Sequence, residues 1–156
     1  MKNISIRVST FFSYLFQSTT TMCILLFLAT LVLKKDQIKA NPTITTFGHK
    51  ANNCYMRFSP NIDLTKEFNM NTKQVFLYVV CVTGSKHEMV WSKIVEESSR
   101  KKLYDLVRNS YRFRIRGDIS AYDAIYFELR GSVFPKIGKM EDKLYARFAY
   151  KKKVVY

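Results

Sequence analysis

Lys73 to Thr83 reads KQVFLYVVCVT, and this stretch decides the fold. It is filled with β-branched and aromatic residues and holds no Gly or Pro, so it reads as a central strand. Phe76 and Tyr78 point to one face, and Val75, Leu77 and Val79 to the other. Both faces are apolar, which predicts core on each side. Gly84-Ser85-Lys86 then reads as a turn into Glu88 to Glu96 (EMVWSKIVE), making the two runs a hairpin.

Outward from this hairpin the period-2 pattern repeats. Cys54, Met56 and Phe58 alternate with Tyr55 and Arg57. Tyr111, Phe113 and Ile115 alternate with Arg112, Arg114 and Arg116. Ile125, Phe127 and Leu129 alternate with Tyr126, Glu128 and Arg130, and Ala146, Phe148 and Tyr150 with Tyr145, Arg147 and Lys151. One helix is predicted in this part of the chain, at Ser98 to Val107, where Leu103, Leu106 and Val107 fall on one helical face behind a Ser98 or Ser99 cap. Several antiparallel strands with one short helix predict an all-β fold, a β-sandwich.

The amino end is of another kind. Phe11 to Leu33 is 23 residues without a charge, about 34 Å as a helix against about 30 Å of bilayer hydrocarbon. Gln17 to Thr21 is polar, and Met22 to Leu33 is the dense apolar part. Three readings compete: a cleaved signal peptide, an uncleaved signal anchor and a buried core helix. Lys2 and Arg7 give the basic start that the first two need. Lys34, Lys35 and Asp36 follow Leu33 where cleavage needs small residues, which favours the anchor. A core helix would carry a polar face, and none is visible. Lys34, Lys35 and Lys39 balance Lys2 and Arg7, so charge does not set the orientation. The expected organisation is a short tail (1–10), a transmembrane signal anchor (11–33), a linker with Asn41-Pro42 (34–43) and one β domain (44–156).

The chain has 156 residues, with 26 Lys and Arg against 12 Asp and Glu, a formal net charge of +14. Hydrophobic residues at 47% exclude a disordered chain. All 12 acidic and 24 of the 26 basic residues follow Leu33, leaving the β domain at +12. Arg112, Arg114 and Arg116 would form a basic row, which suits a solvated face, acidic partners, lipid headgroups or nucleic acid. Three cysteines make no disulfide framework, and at most Cys54 and Cys81 would pair.

Catalytic groups do not assemble. His49 and His87 lack zinc-ligand spacing, there is no CxxC, and the five glycines form no phosphate loop. Ser85-Lys86 reads as a turn rather than a dyad. Glu96-Glu97 and Glu141-Asp142 lie in charged, solvated stretches. No catalytic residue, cofactor or metal is expected.

Phe68 to Tyr78 (FNMNTKQVFLY) resembles the most distinctive segment of the signal peptidase complex subunit 3 family. Phe68, Asn69, Asn71, Lys73, Gln74, Phe76 and Tyr78 match its pattern, while Met70 stands where the family usually has tryptophan. Val90 to Val95 (VWSKIV) is similar to the family's hairpin return, with Trp91, Lys93 and Ile94 in place. Ile125 to Pro135 is a third, more diffuse block. The resemblance implies a non-catalytic, single-pass type II subunit of the endoplasmic reticulum membrane, with its β domain lumenal. Its partners would be the catalytic signal peptidase subunit and the other complex subunits, in a hetero-oligomer, with no nucleic acid. The only Asn-x-Ser/Thr in which x is not Pro, Asn3-Ile4-Ser5, would then lie in the cytosol, and no glycan is expected on the β domain. The candidate partner interface is Phe68, Asn69, Asn71, Lys73, Gln74, Trp91 and Lys93. Local scaffolding competes with that role for Lys73 and Gln74, and a core position competes for Trp91. An anchored basic domain that binds anionic lipid or nucleic acid in the cytosol is the alternative.

Overall fold

A computed structural model describes residues 4–32, 38–50, 53–84, 86–115 and 124–151. Helix α1 (Ile4–Val32) precedes the strands β1 (Thr43–Lys50), β2 (Asn53–Ser59), β3 (Ile62–Asp63), β4 (Thr72–Thr83), β5 (Lys86–Glu96), β6 (Lys102–Leu103), β7 (Val107–Arg108), β8 (Ala124–Pro135) and β9 (Glu141–Lys151), with a 3-10 turn at Thr65–Glu67.

Helix α1 is long and apolar enough to cross a membrane, and none of its apolar window is buried in the domain, which removes the core-helix reading. Its polar stretch is compatible with hydrocarbon because the hydroxyls bond back along the helix. Ser18 and Thr19 donate to the Leu15 carbonyl, Thr20 to Phe16 and Thr21 to Gln17, at 2.8 to 3.0 Å.

All strand pairings are antiparallel. A four-stranded sheet, β5-β4-β8-β9, faces a three-stranded sheet, β1-β2-β7, and β3-β6 forms a small ribbon. The core lies between the two main sheets. Met56 and Phe58 of β2 pack with Val75, Leu77 and Val79 of β4, Trp91 of β5, and Phe127 and Leu129 of β8. The Phe58 ring meets Trp91 edge-on at 5.5 Å, and Phe113 meets Phe127 in the same way at 6.2 Å. The expected sandwich and the β4–β5 hairpin are present. Gly84, at φ 59, supplies the left-handed turn residue that a side chain would strain.

Three expectations need correction. First, β4 is central but has one core face only. Val75, Leu77 and Val79 are fully buried, while Phe76 and Tyr78 stack on each other on the outer face, half-buried. Among the described residues, no second sheet covers that face as one covers the inner face. Secondly, Ser98 to Val107 is not a helix. Lys102 and Leu103 pair with Asp63 and Ile62, and Val107 pairs with Phe58. Leu103 is buried but Leu106 is 54% exposed, so the three apolar residues never share a face. Three apolar positions are a weak helical signal, and the open edges of β2 and β3 outbid it with backbone partners.

Thirdly, Tyr111 to Ile115 alternates as expected, with Phe113 and Ile115 buried, but among the described residues it forms no named strand and pairs through an isolated bridge, Phe113 to Cys54. Arg112 and Arg114 are exposed, and Arg116 lies outside the described residues. A strand the sequence reading did not mark is Thr43–Lys50, whose sequence (TITTFGHK) carries little periodicity. It pairs along β2, and its Phe47 stacks on Tyr150 at 4.8 Å. Cys54 and Cys81 are both buried and unbridged. Burial pushes both thiols up, Cys81 to about 11.

Candidate functional site

The candidate residues gather at one end of the sandwich, where β4 begins. Thr72 pairs with Pro135, Gln74 with Glu96, and Val133 with Glu141, so the β8–β9 turn lies beside the turn at 68–71.

Asn69 shapes that turn. Its Oδ1 accepts from the Asn71 amide at 2.9 Å, an Asx turn, and its carbonyl accepts from the Thr72 amide at 3.1 Å. The turn directs Asn71 inward, where it is 7% exposed. Its carboxamide then clamps the β8–β9 turn: Oδ1 accepts from the Ile137 amide at 2.9 Å and Nδ2 donates to the Ile137 carbonyl at 2.8 Å. The Asn71 carbonyl also accepts from the Lys136 amide at 2.6 Å. Phe68 is half-buried, with Lys101 Nζ 5.0 Å from its ring centroid, a cation–π contact.

Lys73 is exposed and Gln74 half-buried. Together with Glu96, Glu97 and Ser98 they line a shallow open groove. Trp91 is in the core against Phe58, so its side chain offers no partner surface, and the same holds for the clamped Asn71. Lys93 is exposed further along β5. The structure thus brings Phe68, Asn69, Asn71, Lys73 and Gln74 to one end, and leaves Trp91 and Lys93 apart from them.

Two polar clusters escaped the sequence reading. Under the 68–71 turn, Glu67 is 1% exposed, and Lys143 of β9 donates to both of its carboxylate oxygens at 3.1 Å. Such a pair offsets its own desolvation only while both partners remain. On the outer face of the large sheet, Asp142 accepts from Tyr78 at 2.8 Å, Ser132 at 3.0 Å and Arg130 at 2.8 Å. Arg130 reaches on to Glu128 at 3.0 Å, and Arg147 meets the other Glu128 oxygen at 2.9 Å. Burial raises the Asp142 carboxyl, but donation from Tyr78, Arg130 and Ser132 outweighs it and holds the group below the usual carboxylate range. Burial, then Asp142, pushes the Tyr78 phenol up. The alternation of Tyr126, Glu128 and Arg130 signalled a wetter outer row, but the β9 partners of Glu128 and Arg130 depend on register.

Among the described residues there is no group of three His, Cys, Asp or Glu able to hold a metal. The architecture defines a class: one apolar helix of membrane-spanning length and a β-sandwich, in which the end where β4 begins is built from two clamped turns. Within that class, a family model described as signal peptidase subunit matches residues 1–149. The chain belongs to the signal peptidase subunit family. It is 31% identical over 90 residues to signal peptidase complex subunit 3 of Caenorhabditis elegans, covering 53% of this chain and 50% of that protein. The subunit 3 of Caenorhabditis briggsae is 30% identical over the same length and shares. The chain spans about half the length of the curated relatives it matches.

Proposed function

We propose that this chain is a non-catalytic accessory subunit of the endoplasmic reticulum signal peptidase complex, supporting the catalytic subunit in removing signal peptides. Helix α1 anchors it as a single-pass type II protein, and the β domain faces the lumen. The observation that carries this reading is the family match across residues 1–149, from the helix through the sandwich. The fold supports it, because a rigid sandwich on an uncovered apolar helix suits a tethered structural partner. The partner surface is the exposed part of the candidate end, Lys73 and Gln74 beside Glu96 and Glu97, with Lys93 exposed separately on β5.

Isolation of a carboxy-terminally tagged chain in mild detergent tests the reading. The catalytic signal peptidase subunit is expected to co-purify, and the tag is expected to resist protease in sealed microsomes. Digestion of the tag without detergent would place the domain in the cytosol and refute the topology. Replacing Lys73 and Gln74 with Ala should reduce co-purification while folded protein persists. A folded and fully bound double variant would remove both residues from the interface.

A further inference from the structure

We infer that the two clamped turns at the helix-side end, Phe68–Asn71 and Lys136–Met140, form a membrane-contact tip that seats in the headgroup region of the bilayer. The inference rests on the reading of α1 as a membrane span and adds a second, peripheral contact to that anchor.

The position comes first. A methyl group placed on Gly138 would stand 3.2 Å from Cδ2 of Phe27, so the β8–β9 turn packs against α1. Gly138 itself has φ 111, a conformation open to glycine and strained for other residues. Phe27 is five residues before Val32, about 8 Å along the helix axis. A turn touching Phe27 therefore lies below the helix end, at the depth of the interface, and does not stand clear in water.

The chemistry of the tip fits that depth. Met70 is 84% exposed and Met140 51%, although both are large and apolar. Beside them Lys136 and Lys139 are exposed. Lys136 lies 3.6 Å from Glu97, and Lys139 makes no ion pair among the described residues. Apolar tips ringed by lysines suit an interface where the tips meet acyl carbon and the ammonium groups reach up to lipid phosphates. Backbone that dips from that layer toward the hydrocarbon loses water as a hydrogen-bond partner. The Asn71 clamp meets this need, since it satisfies both the amide and the carbonyl of Ile137, and the Lys136 amide bonds to the Asn71 carbonyl. The occupant is therefore a phospholipid surface, and a protein partner over the same methionines is the competing outcome.

The test uses the full chain in phospholipid nanodiscs, with Cys23→Ala and single spin labels at Met70→Cys, Met140→Cys, Leu25→Cys in the helix and Lys86→Cys. Lys86 lies at the opposite end of the sandwich, about 36 Å away along β4. The buried Cys54 and Cys81 remain. Collision with oxygen and with a water-soluble nickel complex reads depth. The labels at 70 and 140 should be several-fold less accessible to nickel than the label at 86, and Lys136→Glu with Lys139→Glu should raise that accessibility. Labels at 70 and 140 as open to nickel as the one at 86, with Leu25 in hydrocarbon, overturn the tip and leave the anchor standing. A water-exposed Leu25 label overturns both. Shielding that arises only after the catalytic subunit is added assigns the methionines to a protein contact and also overturns the inference.

Discussion

Replacement of Asn71 with Ala isolates the clamp that joins the two turns. The substitution removes two hydrogen bonds, at 2.9 and 2.8 Å, and leaves the Ile137 amide and carbonyl without their partner. A buried donor or acceptor stripped of its partner costs about 1–3 kcal/mol. Ile137 is only half-buried, so water reaches part of the site and the lower end of that range applies to each group. The expected loss is about 2–3 kcal/mol, a large share of the roughly 5–15 kcal/mol that holds a domain folded. Asn71→Asp should lose nearly as much, because a carboxylate accepts from the Ile137 amide but repels its carbonyl. Denaturant unfolding of the full chain in mild detergent, followed by the fluorescence of Trp91, measures both. Hydrogen exchange at Ile137 should rise locally even where the core amides stay protected. A loss under about 0.5 kcal/mol with unchanged Ile137 exchange would show that the two turns hold their positions without the carboxamide, and that the clamp is incidental.

Four further outcomes follow from the packing and charge. Phe58→Ala should destabilise by about 3–5 kcal/mol through a cavity between the sheets. Phe76→Ala should cost about 1 kcal/mol, the order of its stacking on Tyr78, and equal losses in the same unfolding assay would contradict the one-sided burial of β4. A Cβ on Gly131 would stand 2.6 Å from Cε2 of Tyr145, so Gly131→Ala should cost about 1–3 kcal/mol, and less when Tyr145 is also Ala, in a double-mutant cycle. Asp142 has its carboxyl depressed in the folded state. Its contribution is thus full above the unfolded value of about 3.9 and is lost as pH falls through the lower folded value. Thermal melts across the acid range should show Asp142→Asn with a flatter fall than the parent, and parallel curves would count against the Tyr78–Asp142–Arg130 network.

The sequence by itself determined the parts that local physics specifies. An uncharged stretch at the amino end reads as a membrane-length helix because length and apolarity alone decide it. Lys73–Thr83 and Lys86–Glu96 read as a hairpin because period-2 patterning and a glycine turn are local signals. The cluster at Phe68 to Gln74 was visible as a motif, but not as a clamp: Asn71 acts on Ile137, 66 positions away, and only the pairing of β4 with β8 brings them together. Three other features depended on tertiary structure in the same way. The outer face of β4 looked like core because Phe76 and Tyr78 are apolar, yet apolarity does not supply a covering layer, and the second sheet lies on one side only. Lys102–Leu103 and Val107–Arg108 became strands because open edges at β3 and β2 had backbone groups to satisfy, a demand that outweighs weak helical spacing. The ion pair of Glu67 with Lys143 and the network on Asp142 arise from the register of β9, and register is a property of the assembled sheet rather than of any one segment.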